Sequence, residues 1–237
     1  MHIQFYSSAT SAYQFHYDLK LFNPMQFLNP FDLINSDFDS ISEITPSILK
    51  KEKRKVIADV ELSEDNSILI SRIRFYKAEC INALNELEEP LKLKFYFFLS
   101  KYPELNNFLY RSDPEFFYTL RHDKIFDSPD FIAFIEPYFA KSYNAALVQA
   151  LRINDHPTLK LINSFPLLST GKNTDQFFQD TYHYLQDKIN TLDDISNKLE
   201  ADNRSYNKNN INELIHLIRN LIDTQSLNLL PSYFQSI

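Results

Sequence analysis

Two carboxylate-x-x-histidine pairs are the first residues whose types and spacing could do chemistry: Asp180-Thr181-Tyr182-His183 and Glu213-Leu214-Ile215-His216. On facing helices, such i, i+3 pairs bring a carboxylate and an imidazole to one metal ion. The helical wheel opposes that use. At about 100° per residue, Asp180, His183 and Asp187 fall opposite the apolar stripe Phe178–Leu185–Ile189. Glu213, His216 and Asn220 likewise fall opposite Ile211–Leu214–Ile218. Both pairs are expected on solvated faces. No metal and no other cofactor is expected.

Ser169-Thr170-Gly171-Lys172-Asn173 places a Gly-Lys pair ahead of a helical pattern. A phosphate-binding loop needs Gly where Pro166 stands and a hydroxyl where Asn173 stands. Gly171 is therefore expected to serve a turn with positive φ. Arg152-Ile153-Asn154-Asp155-His156 resembles, over these residues only, the Arg-x(4–6)-His motif of HEPN ribonucleases. The resemblance implies a helical RNA- or phosphoester-cleaving enzyme using Arg152 and His156. The spacer is one residue short, and Pro157 interrupts the helix such a site uses, so no role is carried over. The simpler expectation is that Asp155 caps a helix opening at Pro157.

The run Lys50-Lys51-Glu52-Lys53-Arg54-Lys55 holds Lys50, Lys51, Lys53, Arg54 and Lys55 within one short segment. Such a patch could contact an acidic partner or a nucleic acid. A solvated loop is the expected setting. The chain as a whole carries a net charge of −7, with a pI near 5.4. That balance disfavours general nucleic-acid binding, which displaces counterions with a basic footprint. No Ser-His-Asp or Cys-His arrangement is identifiable. Arg121-His122-Asp123 falls at a predicted helix end, where basic side chains suit the dipole.

The elements that position these residues follow from composition and period. The 237 residues include one Gly, no Trp, 21 Phe and 14 Tyr. Folds that depend on Gly-rich loops are excluded on that ground. The lone Cys80 forms no internal disulfide, and a reducing, cytoplasmic setting is expected. No apolar run approaches the roughly 20 residues of a membrane helix. No leader pattern is read at the N-terminus.

Tyr13, Phe15, Tyr17, Leu19 and Leu21 alternate with polar residues, the period of a half-buried strand. Ile3 and Phe5 suggest a partner strand, and Val56, Val60 and Leu62 a third. From Ser67 the period turns helical: Leu69, Ile73, Tyr76, Cys80, Leu84 and Leu87 form one stripe, ending at Pro90. Pro103, Pro114, Pro129 and Pro157 each fit a first helical position. Two longer helices are predicted near 175–200 and 210–222, joined by a polar loop over 201–209.

The predicted fold is mainly α: an irregular bundle of about seven to nine helices with an N-terminal β or extended segment. The predicted organisation is an arm over residues 1–62 and a helical domain over 63–237. The expected function is a non-catalytic interaction or assembly subunit whose arm face, Tyr13 to Leu21, pairs with another protein or a second copy. A weak nucleic-acid module through Lys50–Lys55 is an alternative.

Overall fold

The structure is a computed structural model that describes residues 26–34, 36–119, 123–172, 174–201 and Leu230. A short 3₁₀ turn at Pro30–Asp32 and another at Ile41–Glu43 lead into α1, Pro46–Leu62. An antiparallel hairpin follows, β1 Ser67–Ile70 and β2 Ile73–Tyr76, running directly into α2, Lys77–Glu86. Then come α3 Pro90–Ser100, α4 Pro103–Arg111 and the single turn α5 Glu115–Tyr118. The rest is a 3₁₀ turn at Lys124–Asp127, α6 Pro129–Arg152, α7 His156–Ser164, a further 3₁₀ turn at Thr174–Phe177 and α8 Gln179–Ala201. The protein is thus mainly helical with a small two-stranded sheet.

The caps explain where these helices begin. Thr45 Oγ1 accepts from the Ile48 N–H at 3.3 Å and Ser128 Oγ from that of Phe131 at 3.4 Å, each just ahead of a proline at the first helical position. Asp155 caps α7 by accepting from the Thr158 N–H at 3.1 Å. These groups satisfy amides that have no partner within their helix. Two prolines depart from the expectation: Pro114 stands at the cap of α5, one residue before the helix, and Pro157 is the second residue of α7, after His156. Pro137 lies inside α6, which runs through it from Pro129 to Arg152.

α6 is the central element, touching α4, α7 and α8. Phe131, Ile135, Phe139 and Leu147 on it are fully buried. Phenylalanine fills the volume that tryptophan would otherwise take. Phe108 stacks on Phe116 at 5.2 Å between ring centres, and Phe165 lies edge-on to both Phe116 and Phe117 at 5.4 and 5.5 Å. Phe27, Leu28, Leu33, Phe38, Val56 and Val60 join the same hydrophobic core as the later helices.

Two expectations are corrected. The strand anticipated at Val56, Val60 and Leu62 is the C-terminal half of α1. Val56 and Val60 stand four residues apart and are both buried, as one helix face requires, while Leu62 is 84 % exposed. The single helix anticipated from Ser67 to Pro90 is a hairpin followed by α2. Ser71 and Arg72 both adopt positive φ, 51° and 68°, the two-residue turn whose twist matches paired strands. Alternation then places Phe75 in the core and leaves Leu69 and Tyr76 outside.

Candidate functional site

The basic run does not lie in a loop. It occupies the middle of α1, and the helical period divides it between two faces. Lys50, Lys53 and Arg54 line one wall of a groove of about 680 Å³ between α1 and the α2–α3 corner. Lys51 is exposed, and Lys55 pairs at 2.7 Å with Glu52, a buried carboxylate on the same helix.

The floor and walls of the groove are aliphatic. Ile44, Leu84 and Leu87 are buried at its base; Leu49 and Ile57 from α1 and Leu93 from α3 are half-buried along its sides. Pro90, at the first position of α3, turns the chain so that Leu87 and Leu93 face the same trough. Lys53 bonds Asn85 and also reaches Glu88 at 3.2 Å, tying α1 to the far wall. Lys50 and Arg54 are exposed and form no ion pair among the described residues. The site therefore combines an apolar trough with a cationic edge, and Glu88 is the one carboxylate on its described lining. That lining has no paired general acid and base and no nucleophile beside a histidine.

The other chemistry-bearing residues take structural positions. Asp180, His183 and Asp187 are exposed on α8, on the solvated face the wheel assigns them. Among the described residues no group of three His, Cys, Asp or Glu side chains is placed to hold a metal ion. The Arg152 guanidinium lies 5.8 Å from the Tyr184 ring centre, a cation–π contact between α6 and α8. His156 is the first residue of α7 and half-buried. Cys80 is buried, and desolvation first, then the Glu79 charge, pushes its thiol up to about 11, the setting of an inert cysteine.

The Ser169–Gly171 turn does cradle an acidic side chain, but an internal one. Glu136, 3 % exposed on α6, accepts from Ser169 Oγ at 2.7 Å, the Thr170 N–H at 3.1 Å and Thr170 Oγ1 at 2.7 Å. Gly171 follows with φ of +80° and its N–H donates to Ser169 Oγ at 3.0 Å. This contact latches the segment after α7 onto α6.

Tyr13, Phe15, Tyr17, Leu19 and Leu21 lie outside the described residues, as do Arg121, His122, Glu213 and His216. The groove has no signature in the sequence, because Ile44, Ile57 and the α2–α3 corner come from separate stretches of chain. One available signal is Thr45-Pro46, the same cap-then-proline pattern that marks α6 at Ser128-Pro129. Read as a helix start, it puts the basic run on a helix face. No known family model, curated protein or solved structure matches the chain.

Proposed function

We propose that this protein is a non-catalytic interaction or assembly subunit that works in the cytoplasm and binds another protein through the α1–α3 groove. The observation that carries this reading is an aliphatic trough, about 680 Å³ in volume, edged by Lys50, Lys53 and Arg54. Covering the half-buried Leu49, Ile57 and Leu93 with an apolar partner surface is favourable. The arm face from Tyr13 to Leu21 is a second contact surface in this reading, its alternation suited to strand addition. The buried, inert Cys80 agrees with a reducing compartment. Among the described residues no helix is long and apolar enough to cross a membrane.

The test is the native mass of the chain in extracts of its own cell. A subunit elutes in a stoichiometric assembly well above its own 28.0 kDa. Elution at 28.0 kDa at physiological salt, with nothing bound, contradicts the proposal.

A further inference from the structure

We propose that the α1–α3 groove receives an amphipathic helix from an acidic partner protein, its apolar face on the half-buried Leu49, Ile57 and Leu93 and its carboxylates against the exposed Lys50 and Arg54. This deepens the interaction reading and rests on it. Three observations select this occupant.

The first is length. The α1 wall of the groove extends from Pro46 to Ile57, about 16 Å at 1.5 Å per residue, or three helical turns. That matches a partner presenting anchors at i, i+3 or i+4, and i+7. The second is charge. Lys50 and Arg54 stand one turn apart on the same edge, exposed and outside the ion pairs of the described residues. Lys53 and Glu88 pair with each other, so Lys50 and Arg54 are the net positive charge of this edge. On a chain of net charge −7 this is a local reversal of sign, and it selects an anionic partner. The third is the character of the floor. Its described lining carries no aromatic ring on which a base could stack, and three cations are few for tracking a phosphate backbone.

The experiment uses the full chain and a displayed library of helical peptides of about 15 residues, with apolar residues fixed at i, i+4 and i+7 and the flanking positions randomised. Selection is expected to enrich Asp and Glu beside the apolar face. The best synthetic peptide is then measured by fluorescence anisotropy. The Lys50→Glu/Arg54→Glu double variant is expected to weaken it at least about tenfold, and Lys51→Glu, on the other face of the same run, by less than about twofold. Circular dichroism checks that each variant keeps its helices. Selection without acidic bias, no selected binder, or equal effects of the two variants overturns the proposal. So does a uridine 15-mer RNA that binds more tightly than the peptide and is lost with Lys50 and Arg54. If the native assembly persists when the cell carries the double variant, the groove assignment falls and the interaction reading stands. If the wild-type chain elutes alone, the interaction reading falls as well.

Discussion

Asn29 illustrates how one side chain attaches an irregular segment to a helical body. It is fully buried; its N–H donates to the Tyr110 hydroxyl at 2.8 Å and its Nδ2 to Asn106 Oδ1 at 3.0 Å and the Tyr96 carbonyl at 3.3 Å. Its Oδ1 accepts from the Phe31 N–H at 3.1 Å, and Asn106 passes the network on to Asp32 at 3.0 Å. Removing a partner from such a network leaves buried groups without hydrogen bonds, which costs more than the bonds contribute when made. Asn29→Ala is therefore expected to lower the unfolding free energy by about 2–3 kcal/mol in urea titration. A loss under about 0.5 kcal/mol would show the network to be dispensable.

The buried tyrosines make a second residue-scale prediction. Desolvation is the main force raising the phenols of Tyr96, Tyr110, Tyr138 and Tyr143 above the usual tyrosine value, with the Glu86 charge adding at Tyr138 and the Asp32 charge at Tyr110. The folded chain therefore keeps protons that the unfolded chain releases above about pH 10. Their contribution to stability is intact below that pH and is lost as pH rises, by up to about 1.4 kcal/mol per phenol per pH unit. Unfolding free energy is expected to decline gently from about pH 8.5, as the Cys80 thiol ionises in the unfolded chain but not in the folded one, and to fall steeply above about 10 as the phenols follow. A level profile to about pH 11.5 would contradict the burial of these rings.

At the scale of elements, the hairpin turn is the most exposed to test. With a single glycine in the chain, left-handed backbone falls to Asn66, Ser71, Arg72, Ser112 and Asn154. Asparagine tolerates that region, but arginine carries a steric cost from its Cβ. Replacing Ser71-Arg72 with Asn-Gly is expected to stabilise the protein by about 1 kcal/mol, read as a higher urea midpoint. A lower midpoint would mean that the hairpin does not turn at these residues.

The same turn explains why the hairpin is hard to read from sequence. Asn-Gly between alternating residues would announce it, whereas Ser71-Arg72 carries no such mark. Leu69, Ile73 and Tyr76 also satisfy a helical spacing when joined to Cys80 and Leu84. α1 is obscured differently: its charged middle hides the spacing of Val56 and Val60, which alone resembles a short strand. The starts of α6 and α7 are legible, because Ser128-Pro129 and Asp155 are strong caps, whereas the run of α6 through Pro137 is not, since a proline ordinarily marks a helix start or kink. The solvated faces of Asp180 and His183 and the turn at Gly171 are legible for the same local reasons.

At the scale of the molecule, the groove is a product of tertiary structure. Leu49, Ile57 and Leu93 are ordinary core residues by type, and only the packing of α1 on α2 and the turn at Pro90 leaves them half-buried at a shared surface. The basic run is visible in the sequence, but its division into a groove-facing set and an outer set depends on α1 being a helix. That division is what makes the charge directional: Lys50, Lys53 and Arg54 edge one trough while Lys55 is committed to Glu52. The most direct measurement is zero-length carbodiimide cross-linking of the native assembly, which joins an amine to a carboxylate already in contact. The predicted result is a cross-link from Lys50 to an Asp or Glu on another chain, with Lys53 joined to Glu88 of its own chain. A native assembly whose intermolecular cross-links all avoid Lys50 would contradict the account.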